Sequence, residues 1–189
     1  MQARKQGWSR SIRPGMIALL LLIAVAGAVR TVRAAEIIPS YGLTQSTDSN
    51  ADTKSMVGLA LRGNLFPMLQ TEIGVGYRSE SRYDGNLHVR MWPVTASLYA
   101  NPFQTIYAGA GVGWYQTTFD YSNNLLIPDE TKQNFGVHVG GGFQIPLAPS
   151  AAVDLGGRYV MLRDQESHLI PEKFNPDFWV TQLGLAIKF

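Results

Sequence analysis

The sequence predicts an all-β fold: an eight-stranded antiparallel up-and-down transmembrane β-barrel. Three observations predict it. A basic, then apolar leader opens the chain, eight alternating segments follow, and their connections alternate between short and long. An even number of alternating segments, each of about ten residues, is what a transmembrane barrel requires. Closure is needed because hydrocarbon offers no water to backbone N–H and C=O groups.

Residues 1–34 hold Arg4, Lys5, Arg10, Arg13, Arg30 and Arg33 and no acidic residue. A basic segment to Arg13, an apolar run from Met16 to Val29 and a small-residue site at Val32-Arg33-Ala34 have the order of a secretory signal. Cleavage is expected before Ala35, leaving 35–189 as the barrel domain. The apolar run is shorter than the roughly 20 residues a membrane-spanning helix needs.

Setting the leader aside reverses the charge. The remainder has ten Lys/Arg against fourteen Asp/Glu, a formal −4, where the whole chain carries +2 at a pI near 8.9. The basic pI therefore gives no reason to expect nucleic acid as a partner. There is no cysteine, which excludes a disulfide framework, a lipoprotein anchor and any cysteine-based metal site or nucleophile.

The alternating segments fall at about 36–45, 55–66, 70–80, 88–100, 104–118, 133–146, 151–163 and 178–189. Pro67-Met68-Leu69, Asn101-Pro102-Phe103 and Leu147-Ala148-Pro149-Ser150 form tight links after the second, fourth and sixth. The other links, near 46–54, 81–87, 119–132 and 164–177, are longer and polar. Short turns at one rim and long loops at the other are the outer-membrane pattern.

Each segment sets an apolar face against a polar or glycine-rich one. The second places Val57, Leu59, Leu61 and Leu65 opposite Gly58, Ala60, Arg62 and Asn64. In the third, Ile73, Val75 and Tyr77 alternate with Glu72, Gly74, Gly76, Arg78 and Glu80. The fourth is least regular, and Met91-Trp92-Pro93 is expected to form a bulge. The sixth sets Phe135, Val137, Val139 and Phe143 against Gly136, His138, Gly140, Gly142 and Gln144. The seventh places Val153, Leu155, Tyr159 and Met161 opposite Asp154, Gly156 and Arg158. A large apolar face paired with a small, glycine-rich polar one fits lipid outside and a narrow lumen inside.

Aromatic residues are expected at both interfaces. Tyr77, Trp92, Trp114, Tyr159 and Trp179 would lie near the long-loop rim. Phe66, Tyr107, Phe143 and Phe189 would lie near the short-turn rim.

The last segment reads Gln182-Leu183-Gly184-Leu185-Ala186-Ile187-Lys188-Phe189. It resembles the insertion signal of outer-membrane barrels, with Gln182, Gly184, Ile187 and Phe189 at the matching places. Tyr107-Ala108-Gly109-Ala110-Gly111-Val112-Gly113, Gly140-Gly141-Gly142-Phe143 and Asp154-Leu155-Gly156-Gly157-Arg158-Tyr159 look like the small outer-membrane β-barrel family that includes the OmpA and OmpX types. That resemblance covers nearly all of 35–189 and is specific for architecture, not for one activity. It implies outer-membrane lipid and lipopolysaccharide as surroundings, with a Bam-type insertase and periplasmic chaperones as partners. A monomer is expected. With the chain ending at the last strand, the peptidoglycan-binding domain of the OmpA type is not expected.

On this alternation the lumen would hold Arg62, Glu72, Arg78, Glu80, His138, Asp154, Arg158 and Lys188. Eight strands leave room for little beyond side chains, and isolated buried charges are costly. A structural charge network is therefore expected, with a narrow gated pore as the alternative. Some barrels of this family modify lipid A with a serine–histidine–acid constellation. His88, His138 and His168 are the histidines here, and none has the His-x-Ser spacing of the deacylases. Ser167 and His168 are neighbours, which on a strand would face opposite sides. No catalytic, cofactor or metal residues are assigned. The acidic loop residues Asp48, Asp52, Asp84, Asp129, Glu130, Asp164, Glu166, Glu172 and Asp177 lack the spacing of a calcium loop. The expected function is non-enzymatic: envelope integrity or surface interaction.

Overall fold

The computed structural model describes residues 35–47, 53–82, 87–103, 105–121, 130–162 and 177–189. The expected signal segment and its cleavage site lie outside these residues. So do Asp48, Asp52, Asp84, Asp129, Asp164, Glu166, Ser167, His168 and Glu172.

The eight strands are β1 (Ala35–Ser46), β2 (Lys54–Phe66), β3 (Leu69–Arg82), β4 (Leu87–Ala100), β5 (Ile106–Tyr121), β6 (Glu130–Ala148), β7 (Ala151–Leu162) and β8 (Phe178–Lys188). Each pairs antiparallel with its neighbours in sequence, and β1 pairs with β8 to close the barrel. The period-two pattern dictates this arrangement, since closure gives every strand two partners and leaves no bare edge. The strands run further than the alternation suggests: β5 spans 16 residues and β6 spans 19. Polar pairs such as Gln116 with Gln133 and Thr118 with Thr131 continue that ladder past the apolar band.

The expected bulge at Met91-Trp92-Pro93 is absent. The β3–β4 register is the same on both sides, with Val75 opposite Val94 and Arg78 opposite Met91. Pro93 stays in alternation, buried between Met91 and Thr95 on the inner face, while Trp92 points outward. On the β3 side the ladder omits Trp92 and Pro93 without a change of register; at Pro93 there is no N–H to donate. Register shifts occur instead at Asn64/Phe66 and Pro146/Ala148, beside two of the short turns.

Large apolar side chains populate the outside. Val57, Leu59, Val112, Val137, Val139, Leu155, Leu183 and Leu185 are all exposed. The outer face is apolar and the inner face holds the buried charges, the inverse of a protein bounded by water.

Candidate functional site in the barrel lumen

The inner faces of all eight strands converge on a polar cluster in the short-turn half. At its centre is Arg62 of β2, 1% exposed. Its Nε and Nη2 donate to Glu72 Oε2 at 2.9 and 2.7 Å, and its Nη1 donates to Asp154 Oδ2 at 2.7 Å. Nη1 also lies 3.5 Å from Glu36 Oε1. One guanidinium thus serves carboxylates from β1, β3 and β7. The planar fork of arginine can meet several acceptors at once, which a lysine ammonium does with less definition.

Neighbouring groups complete the acceptors. Tyr107 Oη donates to Asp154 Oδ1 at 2.8 Å, and Gln144 Nε2 donates to Glu36 Oε1 at 2.6 Å. The Arg62 guanidinium lies 4.2 Å from the Tyr107 ring centroid and 5.6 Å from that of Tyr99, within cation–π range. Arg158 Nη2 donates to Glu72 Oε1 at 3.4 Å and Gln182 Oε1 at 3.3 Å. Breaking one partner out of such a cluster leaves an uncompensated buried charge.

Glycines on β5, β6 and β7 create the space. A Cβ at Gly142 would come within 2.5 Å of Tyr107 Oη, and one at Gly111 within 2.5 Å of His138 Nε2. The Gly-x-Gly stretches of the sequence are thus the room into which the lumen's large side chains fold.

The long-loop half of the lumen is different. Tyr115, Val160, Leu162, Phe178 and Val180 form a buried apolar cluster, with Met56 and Met91 packed against it. A cavity of about 40 Å³ lies among them and is floored by Glu72 and Arg158, which leaves room for about three waters. On the other side of the cluster, a vestibule of about 140 Å³ is lined by Glu36, Arg62, Asn64, Gln70 and Lys188. The Arg62–Glu72 ion pair stands between the two spaces.

The structure brings together Arg62, Glu72, Asp154 and Arg158 of the residues assigned to the lumen. His138 is fully buried and lies 2.9 Å from Ser97 Oγ through its Nε2. Its Nδ1 has no hydrogen-bond partner, so no carboxylate orients this serine–histidine pair as a catalytic triad requires. Arg78 is half-buried near Phe178 in the long-loop half, its guanidinium 5.9 Å from that ring. Lys188 is exposed at the vestibule mouth. The side chain of Glu80 lies outside the described residues. His88 is exposed near the long-loop end of β4.

Tyr107 is a correction. It was expected in the short-turn aromatic belt, yet it is 4% exposed and points into the lumen. Strand parity explains this: Trp114, on the same strand, faces outward at an even position, so odd Tyr107 must face inward with Tyr115. The other belt residues keep to the outer face, where Tyr77 and Trp92 pack at 4.7 Å, as do Tyr159 and Trp179. Sequence reasoning also missed Glu36, Ser97, Tyr99 and Tyr115, and it placed Gln144 on the inner face without assigning it to the network. Each has the same parity as an inward charge or glycine on its strand or on the strand it pairs with.

Ile187 of β8 and Phe189, the residue after it, are exposed. Gln182 reaches Arg158 inside, and Gly184 is buried against Ile38.

An apolar exterior, a charged interior and complete closure describe a barrel bounded by lipid. Residues 15–189 match the outer membrane protein beta-barrel domain. The chain belongs to that family. It is an outer-membrane β-barrel, and solved structures repeat its architecture. Neisserial surface protein A (NspA) superposes with a TM-score of 0.59 at 14% identity, covering 82% of this chain and 96% of that one. Ail, the attachment invasion locus protein of Yersinia pestis, gives 0.56 at 12% identity over 82% and 98%. The N-terminal barrel domain of Pseudomonas aeruginosa OprF gives 0.53 at 13% identity over 84% and 98%. At these identities the likeness concerns the fold. No curated protein matches the sequence.

Proposed function

We propose that this is a non-enzymatic outer-membrane protein with a sealed lumen, acting in envelope integrity or surface interaction through its long loops. The observation that carries this reading is the ion-pair cluster across the bore. Arg62 spans from β2 to Asp154 on β7, with both side chains at most 1% exposed. A solute path would have to break charge pairs that a narrow, weakly screened interior makes strong. Against catalysis at the one serine–histidine pair in the lumen stands its burial without an acid at the second ring nitrogen.

In this reading the long loops face outward and the short turns face the periplasm. The β8 strand, through Gln182, Gly184, Ile187 and Phe189, is what a Bam-type insertase would recognise after periplasmic chaperones deliver the chain.

Planar-bilayer recording tests the seal. The purified barrel should give no sustained single-channel steps, and regular steps would overturn the proposal. Mass spectrometry of lipid A from cells with and without the protein should show identical acyl patterns. An altered pattern would establish an enzyme instead.

A further inference from the structure

The cavity in the long-loop half of the lumen is lined differently from the ion-pair cluster beneath it. Met56, Met91, Phe178 and Val180 give it apolar walls, and Tyr115, Arg158 and Glu72 bring polar groups to it. A mostly apolar concavity with a few convergent polar groups is the usual composition of a small-molecule site. Two of those polar groups are incompletely satisfied by the protein.

Tyr115 is the first. It is 1% exposed, yet its Oη has no hydrogen-bond partner, and a buried hydroxyl left unpaired is costly. Its ring packs edge-on against Phe178 at 6.0 Å. The hydroxyl end lies over Gly113, where a Cβ would stand 2.7 Å from Oη. Gly136, opposite Gly113 in the β5–β6 ladder, is also close: a Cβ there would stand 3.2 Å from the ring. The two facing glycines give the tyrosine room to lie inward and hold its donor inside the bore.

Arg158 is the second, and Arg62 shows the contrast. Arg62 commits all three guanidinium nitrogens to Glu72 and Asp154 at 2.7–2.9 Å. Arg158 keeps 13% of its side chain accessible. Among the described residues its hydrogen bonds are two long ones from a single nitrogen, Nη2, to Glu72 Oε1 at 3.4 Å and Gln182 Oε1 at 3.3 Å. Its Nε and Nη1 are left to another acceptor. Glu72 does not compete strongly for them, because Arg62 already holds its Oε2.

We propose that this cavity is a blind binding pocket for a small carboxylate of acetate size, held by Arg158 and the Tyr115 hydroxyl with its methyl group against the apolar walls. A carboxylate is the acceptor whose two oxygens match the fork of a guanidinium. The volume of about 40 Å³, room for about three waters, admits a carboxylate with one methyl group and excludes a long acyl chain. Met56, Phe178 and Val180 favour that methyl group over an inorganic anion, which has nothing to set against them. The Arg62–Glu72 pair closes the cavity toward the vestibule, so the ligand enters from the long-loop side. That entrance rests on the sealed lumen proposed above; the binding does not.

The methionines provide a site-resolved test. Met56 and Met91 line the cavity, whereas Met68 and Met161 do not. The barrel is isotope-labelled at its methionine methyl groups, folded in detergent micelles and followed by NMR while sodium acetate replaces sodium chloride at constant ionic strength. The Met56 and Met91 signals should shift and saturate in the millimolar range, and those of Met68 and Met161 should stay in place. Acetamide, which has the shape without the charge, should bind severalfold more weakly, as should nitrate, which lacks the methyl group, and hexanoate, which is too long. Tyr115→Phe should weaken acetate severalfold and leave the urea midpoint unchanged or higher, because the hydroxyl has no protein partner to lose. A stable Tyr115→Phe barrel that binds acetate undiminished would overturn the proposal. So would the absence of saturable shifts at Met56 and Met91, which leaves the cavity to water, or equal binding of acetamide or hexanoate. Nitrate matching acetate would assign the pocket to inorganic anions and overturn it equally. The titrations of the unsubstituted barrel do not depend on any variant folding.

Discussion

The two halves of the lumen solve one packing problem with opposite chemistry. In the short-turn half, Glu36, Glu72 and Asp154 fill the bore together with Arg62, Arg158 and the neutral donors Tyr107 and Gln144. In the long-loop half, Tyr115, Val160, Leu162, Phe178 and Val180 fill it with apolar side chains. The charged half gains definition, because each carboxylate is held by two donor residues at fixed distances. Its cost is that each partner is indispensable. The apolar half is more tolerant, since neighbouring methyl groups can relax into part of a lost volume.

Four substitutions would sharpen or break that contrast, each read by urea unfolding of the vesicle-reconstituted barrel. Arg62→Met should have the largest effect, a loss of about 4 kcal/mol, because it strands Glu72 and Asp154 without a counter-charge. Phe178→Ala in the apolar half should follow at about 3 kcal/mol, the low end for a deleted aromatic beside space that already exists. If Phe178→Ala proves more costly than Arg62→Met, the charged half is not the less tolerant one. Tyr107→Phe removes a single hydrogen bond to a carboxylate and should lose about 2 kcal/mol. A neutral Tyr107→Phe would mean that Arg62 alone satisfies Asp154. Arg90→Ala breaks the 2.5 Å pair with Asp120, whose side chains are 49% and 24% exposed. It should cost less than about 1 kcal/mol, and that small loss should vanish in high salt.

Much of this architecture could be read in the sequence, because a β-barrel writes its inside and outside into alternate residues. Arg62, Glu72, Asp154 and Arg158 were visible as inward charges for that reason alone. At Tyr107 residue type and position disagree: tyrosine is typical of an interface, but a parity opposite to outward Trp114 puts it in the lumen. Pro93 misled in a related way, since a missing donor need not shift the register when the strand stays in phase. The partners within the lumen could not be read at all. Arg62 and Asp154 are 92 residues apart, and which inward residues meet depends on the stagger between strands. The same holds for Ser97 and His138, which belong to non-adjacent strands, β4 and β6.

That separation has a consequence for how the barrel comes together. Arg62 on β2 and Asp154 on β7 meet only across a finished cylinder, as do Gln144 on β6 and Glu36 on β1. A sheet still open at the β1–β8 seam would present these groups to hydrocarbon or to each other's absence, at a steep penalty. The last strand to join therefore discharges the penalty for all of them together. The cluster acts as a proofreader of completeness, rewarding the eighth strand in its correct register and no partial ring.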